Sequence, residues 1–290
     1  MRSLKSHAVG EIVEPPYFEG VYDEEPRDLG EDPWQSEGWQ KSCEHYARKL
    51  GLGAGYEPAW RSFLRGPTAS RLLKWVAFGH PNFPRHLTDI KSLLATATTA
   101  GSVRVLDVGG GFGDNYCLLG YVLTERQMAL IDYHVVDNEL SIDLGRRLYH
   151  GQQRAPTFHS SIPATAEFDV TLLVGTLHYI GDWRSALDAV RRRTRRHVVI
   201  TRSPISPSRS FFTTQTICPP LGPLHGRKAG TCAVTVISEG DLIAHMVEGA
   251  RWVVTTRRLL LDYSDNFRRL PESHRPVAYV TFVFGREQHR

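Results

Sequence analysis

The chain is poor in cysteine. Four occur among 290 residues, Cys43, Cys117, Cys218 and Cys232, and none stands in a CxxC or other metal-ligand spacing. That pattern speaks against a disulfide framework or a zinc centre, and free thiols in a reducing cytoplasm are expected. No window of about 20 apolar residues occurs, so no membrane span is expected. The opening MRSLKSHAVGEIVEPPYFEG has no apolar run of the kind a signal peptide carries. Charge of one sign is also lacking: 35 basic residues face 31 acidic ones, a net of +4. Such a balance does not call for nucleic acid as a partner. No internal repeat, Ser/His/Asp triad or metal cluster stands out.

What is present is an ordinary globular composition, 41% hydrophobic and 23% charged, on a chain long enough to bury a sizeable core. Residues 1 to about 30 are rich in Pro, Gly and acids and read as an irregular arm. Helices are expected over Trp34–Leu50 and, with proline punctuation, Glu57–Ala100. Residues 1–100 are expected to form an arm and helical cap, and the aromatic-rich helices read equally as a layer packed on the main domain or as a cap closing over the cofactor. From residue 103, short apolar runs alternate with helical periods. Strands fit 103–108, 133–137, 168–174 and 196–201, with a weaker one near 155–159. Helices fit 114–124, 139–149 and 182–193. Such alternation implies crossovers and a mostly parallel sheet. Residues 203–235 break the rhythm with five prolines and three glycines and are expected to be an inserted loop. A helix, Glu239–Glu248, and two β segments, 250–262 and 276–285, end the chain. The fold class is therefore α/β, a Rossmann-like domain over 101–290. The basic run Arg191–Arg196 reads as a solvated helix C-terminus, where cations suit the dipole, ahead of a phosphate-binding patch.

The stretch VRVLDVGGGFGDNYCLL, Val103–Leu119, carries the most information. An apolar strand ends in Asp107, and Gly109, Gly111 and Gly113 follow at alternate positions before a helix. A strand that turns on glycines into a helix brings backbone N–H groups close to a ligand. The leading acid and the DxGxGxG spacing suit a nucleoside with an aminoacyl tail, S-adenosylmethionine (SAM), better than the GxGxxG of a pyrophosphate binder. Asp137 ends the next strand, YHVVD, where a carboxylate can take both ribose hydroxyls. Ligands of open α/β sheets sit outside the carboxyl ends of the strands. The residues just past each strand are therefore the candidate site. Asp107, Gly109, Gly111, Gly113, Asp114, Asp137, Ser160, Thr176 and Arg202 are candidates for holding the cofactor. Asn138, His178, Tyr179 and Ser203 are candidates for the chemistry. Asp114 also reads as a helix cap, His178 as a packed histidine, and Arg202 as either a carboxylate clamp or a surface ion pair.

At FEGVY, LDVGGGFGDNY, HVVD, LLVGTLHYI, the TRSP turn and Gln215, the chain resembles SAM-dependent methyltransferases of class I fold found in polysaccharide and specialised-metabolite gene clusters. That resemblance implies a seven-stranded, mostly parallel sheet, SAM as cosubstrate and a small-molecule substrate; with the composition and charge above, no metal and no nucleic-acid or membrane partner are expected. The family pattern has Ser, Gln and Asp where this chain has Asp114, His178 and Thr201. The chain also resembles the divergent azetidine-2-carboxylate synthases of this group. In these the α-amine of SAM attacks its own γ-carbon and expels methylthioadenosine. The resemblance implies that neutral groups such as Asn138, Tyr179 and Ser203 would suit a neutral amine. Three functions follow as expectations: cyclisation of SAM first, methyl transfer to an O or N acceptor with His178 as base second, and a silent SAM-fold binding subunit third.

Overall fold

The structure is a computed structural model that describes residues 17–30, 32–52, 85–217, 230–249, 251–260 and 266–287. Its centre is a parallel run of strands. Val103–Val108 (β2) pairs in parallel with Ile131–Val136 (β3) on one side and Phe168–Val174 (β5) on the other. Thr157–His159 (β4) adds beyond β3, and Thr194–Ser206 (β6) beyond β5. Val103, Val105, Leu106 and Asp107 of β2 are all at 0% exposure, as expected of a parallel strand covered on both faces. The chain leaves β2 toward β3 and β4, then returns to β5 on the opposite side of β2. That reversal opens a crevice at the carboxyl ends of β2 and β5, where such sheets take their ligands.

The sheet ends in the expected antiparallel pair. Ala278–Arg286 (β10) runs antiparallel to β6, and Trp252–Leu260 (β9) antiparallel to β10. These seven strands form the Rossmann-like sheet expected from the alternation. Glu37–Lys49 (α1), Arg85–Ala97 (α2), Asp114–Val122 (α3) and Glu139–Tyr149 (α5) share one core, which includes Leu50, Ile90, Leu119 and Ile142. Glu125–Ala129 (α4) is a short helix closed by the capping box of Thr124 and Gln127. Trp183–Arg193 (α6) and Glu239–Val247 (α7) contribute Leu187, Val190, Leu242 and Met246 to a second core on the other face.

Two expectations need correction. The stretch 203–235 is not a loop over its described part. β6 runs on to Ser206, and Phe211–Ile217 (β7) pairs antiparallel with Gly230–Ser238 (β8). The proline and glycine content had masked two segments rich in β-branched residues, FFTTQTI and TCAVTVIS, which pack well on a pleated surface. Nor is the first region wholly irregular: Phe18–Tyr22 (β1) pairs antiparallel with β7 at the outer edge. Phe18 is fully buried, with ring centroids 4.8 Å from Phe267 and 6.4 Å from Tyr279. A partner so distant in sequence leaves no local signal. The three extra strands give a ten-stranded sheet, joined to the main one where Ile205 and Ser206 meet Ile237 and Ser238.

The expected helix over Trp34–Leu50 opens as a 3-10 turn, Pro33–Gln35, before Ser36 caps α1. Of the helix expected over Glu57–Ala100, the part before Arg85 lies outside the described residues. Among the described residues no helix is long and apolar enough to cross a membrane. If β1 belongs to the folded unit, Phe18→Ala should cost about 3–5 kcal/mol, the usual penalty for emptying a buried phenylalanine site. The measurement is chemical denaturation, and an unchanged midpoint would return residues 17–22 to an irregular arm.

Candidate functional site

The glycine loop is set by backbone geometry that side chains would obstruct. Gly109, Gly111 and Gly113 have φ of +70, +56 and +86°. A Cβ at Gly109 would lie 2.2 Å from Thr176 Cγ2. That close approach lets Thr176 Oγ1 donate to the Gly109 carbonyl at 3.2 Å, while the Gly109 N–H donates to Val136 at 2.7 Å. The loop is thus tied to the ends of both β3 and β5. The Gly113 carbonyl accepts from the Tyr149 hydroxyl at 2.7 Å, which fixes the start of α3.

Three carboxylates gather around this loop. Asp107 ends β2 at 0% exposure. Its Oδ2 accepts from Tyr133 Oη at 2.7 Å and Asn115 Nδ2 at 3.1 Å, and its Oδ1 has no partner. Burial pushes this carboxyl up to about 7, against the pull of those two hydrogen bonds. Asp114 is the first residue of α3. Burial pushes it up to about 6, opposed by the backbone N–H groups at the helix start and by Arg202, and reinforced by Asp137. Asp137 is raised by burial too. Its Oδ2 accepts the Gly111 N–H at 2.8 Å, so it braces the loop as well as facing the crevice. Asp114 and Asp137 each raise Asp107 further. Carboxylates that raise one another in a desolvated place form a site for a cation.

The opposite wall comes from β5, β6 and the appended strands. Arg202 stands at φ +57°, a left-handed conformation that costs a non-glycine residue stability. Its cause is a bulge. Ile200 and Ser203 of β6 face Phe282 and Val280 of β10, so Thr201 and Arg202 together oppose the single Thr281. Bulges of this kind re-aim a side chain beside a site. Thr201 Oγ1 shares a 2.6 Å hydrogen bond with Thr281 Oγ1, so Thr201 serves strand packing. Arg202 is exposed, yet its charge acts on Asp114, His178, Tyr46 and Tyr179.

His178 and Tyr179 lie on the 3-10 turn Leu177–Tyr179 after β5, with ring centroids 3.9 Å apart. Burial, then Arg202, pushes the His178 imidazole down to about 3, so it is neutral at physiological pH, and its Nδ1 has no partner. Tyr179 donates to Gln215 Oε1 of β7 at 2.7 Å and packs edge-on against Trp34 at 5.1 Å. Burial holds its hydroxyl well above the ordinary tyrosine range. Ser203 is fully buried, and its Oγ also lacks a partner.

The structure brings together Asp107, Gly109, Gly111, Gly113, Asp114, Asp137, Thr176, His178, Tyr179 and Arg202. Three candidates stand differently. Ser203 lies inside β6, opposite Val280 of β10. Asn138 is exposed and occupied as the cap of α5: its Oδ1 accepts the Ser141 N–H at 3.0 Å, and its Nδ2 donates to Asp137 Oδ1 at 2.8 Å. It positions Asp137. Ser160 is exposed past β4.

Sequence reasoning missed Tyr133, Asn115, Gln215 and Trp34 as site residues. It also missed Tyr46 of α1, whose ring lies 6.1 Å from Phe112 and feels Asp114 and Arg202. Tyr133 and Asn115 lie inside the quoted motifs and could have been found by strand and helix periodicity. The other three carry no such signal.

No family model and no curated protein matches the chain. Solved structures do. A SAM-dependent methyltransferase from Clostridium acetobutylicum is 10% identical, with a TM-score of 0.47 over 80% of this chain and 100% of that one. Magnesium protoporphyrin IX methyltransferase from Synechocystis, with bound SAM, is 11% identical, with a TM-score of 0.48 over 90% and 100%. A Burkholderia thailandensis N1-methyltransferase, bound to 1,6-didemethyltoxoflavin and S-adenosylhomocysteine, is 13% identical, with a TM-score of 0.44 over 79% and 89%.

Two outcomes follow from the geometry. Asp107 holds a proton in the folded chain between an ordinary 3.8 and about 7 that the unfolded chain releases. Stability of the ligand-free protein should therefore fall as pH rises through that window. Asp114, pushed up to about 6, and Asp137, also raised, add to that slope, so Asp107→Asn should remove only part of it, and denaturation midpoints between pH 4 and 8, where an unchanged slope would count against it, are the check. Arg202→Gly relieves the left-handed strain and should leave stability within about 1 kcal/mol, glycine's chain-entropy cost roughly offsetting the gain. A large loss on denaturation would mean that the arginine is structural.

Proposed function

We propose that this chain is a SAM-consuming enzyme that catalyses nucleophilic displacement at a carbon bonded to the sulfonium. The carrying observation is the set of three raised carboxylates, Asp107, Asp114 and Asp137, beside a glycine loop at the sheet's reversal point. SAM brings two positive charges, on sulfur and on the α-amine, together with a ribose diol and a carboxylate. Asp137 suits a ribose hydroxyl: its Oδ1 accepts the N–H and Nδ2 of Asn138 and its Oδ2 the Gly111 N–H, which leaves one Oδ2 lone pair free. The unpartnered Oδ1 of Asp107 suits the ammonium. Arg202 suits the carboxylate. Buried polar atoms without partners are rare in folded proteins. Those of Asp107, His178 and Ser203 fit a ligand that supplies the missing bonds.

Intramolecular cyclisation is the first reading of the reaction. The substrate's ammonium passes a proton to a carboxylate; Asp107, near 7, is matched to that transfer. The freed lone pair forms the N–Cγ bond as the Cγ–S bond breaks, and its electron pair leaves on neutral methylthioadenosine. The positive charge ends on the ring nitrogen of azetidine-2-carboxylate. The groups facing this step, Tyr179, Ser203 and neutral His178, offer hydrogen bonds without charge, which favours an amine over an ammonium. Holding the amine in line behind the breaking bond is the main source of acceleration in such a step.

Methyl transfer to a small-molecule acceptor is the second reading, and the unpartnered His178 Nδ1 and Ser203 Oγ favour it as acceptor contacts. An imidazole near 3 is a weak base, so this route fits acceptors that attack without losing a proton first. A silent binding subunit would bind SAM without turning it over.

The deciding measurement is incubation with SAM alone, followed by mass spectrometry. Methylthioadenosine with a C4 cyclic imino acid is expected. Turnover only with an added acceptor, yielding S-adenosylhomocysteine, would sink cyclisation in favour of methylation. Asp137→Ala should weaken SAM binding by about tenfold or more, the loss expected for charge-assisted bonds. Calorimetry with equal affinity would remove Asp137 from the ribose.

A further inference from the structure

The arginine run at the end of α6 opens onto a cavity of about 590 Å³. Its walls come from three elements. Asp188, Arg191 and Arg192 lie on the last turns of α6, Arg251 precedes β9, and Arg286 and Glu287 lie at the end of β10. β6 begins here, with Thr194, so the cavity lies at the opposite edge of the sheet from the carboxylate site. Four arginines face two acids, and Asp188 is already paired with Arg191 at 3.4 Å and His245 at 3.2 Å.

Capping of helix ends accounts for only part of this charge. Arg191 donates to the carbonyls of His245 and Glu248, which closes the end of α7. Arg286 reaches the Thr194 carbonyl at 3.4 Å. Arg192 and Arg251 remain, both exposed and both without a side-chain partner among the described residues. Four guanidiniums against the carboxylates of Asp188 and Glu287 leave an excess of positive charge that a bound anion would balance. Guanidinium forks match phosphate oxygens in pairs.

We infer that this cavity is a binding site for a chain of phosphates, held by Arg192 and Arg251 and backed by Arg191 and Arg286, and separate from the SAM site. Its volume and its spread across three elements suit several linked phosphates better than one. Inorganic polyphosphate and a nucleoside triphosphate share this chemistry.

The test is calorimetric titration of the full chain with tripolyphosphate and, separately, with UTP. Saturable 1:1 binding is expected, weakened about tenfold by Arg192→Ala and by Arg251→Ala, as for loss of one charge-assisted contact. Arg126→Ala, on the exposed face of α4, and Arg202→Ala, at the other end of the sheet, should leave the affinity unchanged. UTP binding as tightly as tripolyphosphate identifies the phosphates as the recognised part. UTP exclusion assigns the site to the inorganic chain. The proposal is overturned by absence of binding at millimolar tripolyphosphate, by equal affinity in all four variants, or by loss only with Arg202→Ala.

Discussion

A carboxylate sealed away from water organises the site. Asp107 is placed by β2, and β2 is covered on both faces, so the acid cannot move toward solvent. Burying it disfavours its charge, and two neutral donors, Tyr133 and Asn115, relieve only part of that cost. The tension is carried by the fold. Asp114 and Asp137 stand close enough to add to it, and the glycine loop between them is held by Asp137, Thr176 and Tyr149. A cationic ligand would turn three mutually opposed charges into three partners. The same environment that weakens the ligand-free protein therefore prepares it to bind, a trade-off common at functional sites.

The appended strands change what can happen beside those acids. β7 brings Gln215 to the hydroxyl of Tyr179, and the turn before α1 lays Trp34 against the same ring. His178 is buried behind them and kept neutral. The wall facing the carboxylates is thus made of hydrogen-bonding groups without charge, apart from Arg202. Arg202 reaches its place through a bulge, which lets an exposed cation share the region with buried neutral groups.

Much of the frame was legible in the sequence because buried parallel strands write themselves as short apolar runs. β2, β3, β5, α3 and α5 fall within a few residues of expectation, while the short α4 was not expected. The strands of the extension did not show. Pro204 and Pro207 hid the continuation of β6, and β1 depends on an edge of β7 nearly 200 residues away. At the site, the acids and glycines were legible because their spacing is local. Asn138 was read as chemistry because it follows a strand, and it proved to be a helix cap. Ser203 follows the expected strand end, yet lies inside a strand that continues through a bulge.

The sequence by itself determined the alternation, the glycine turn and the acids at the strand ends, since each is set by neighbours within one element. Tertiary structure alone decided which of those groups are ionised, which are already bonded and which face one another. Charge state and hydrogen-bond satisfaction depend on what excludes water, and Tyr133, Gln215, Trp34 and Tyr46 reach the site from separate parts of the chain. Only folding brings them to one place.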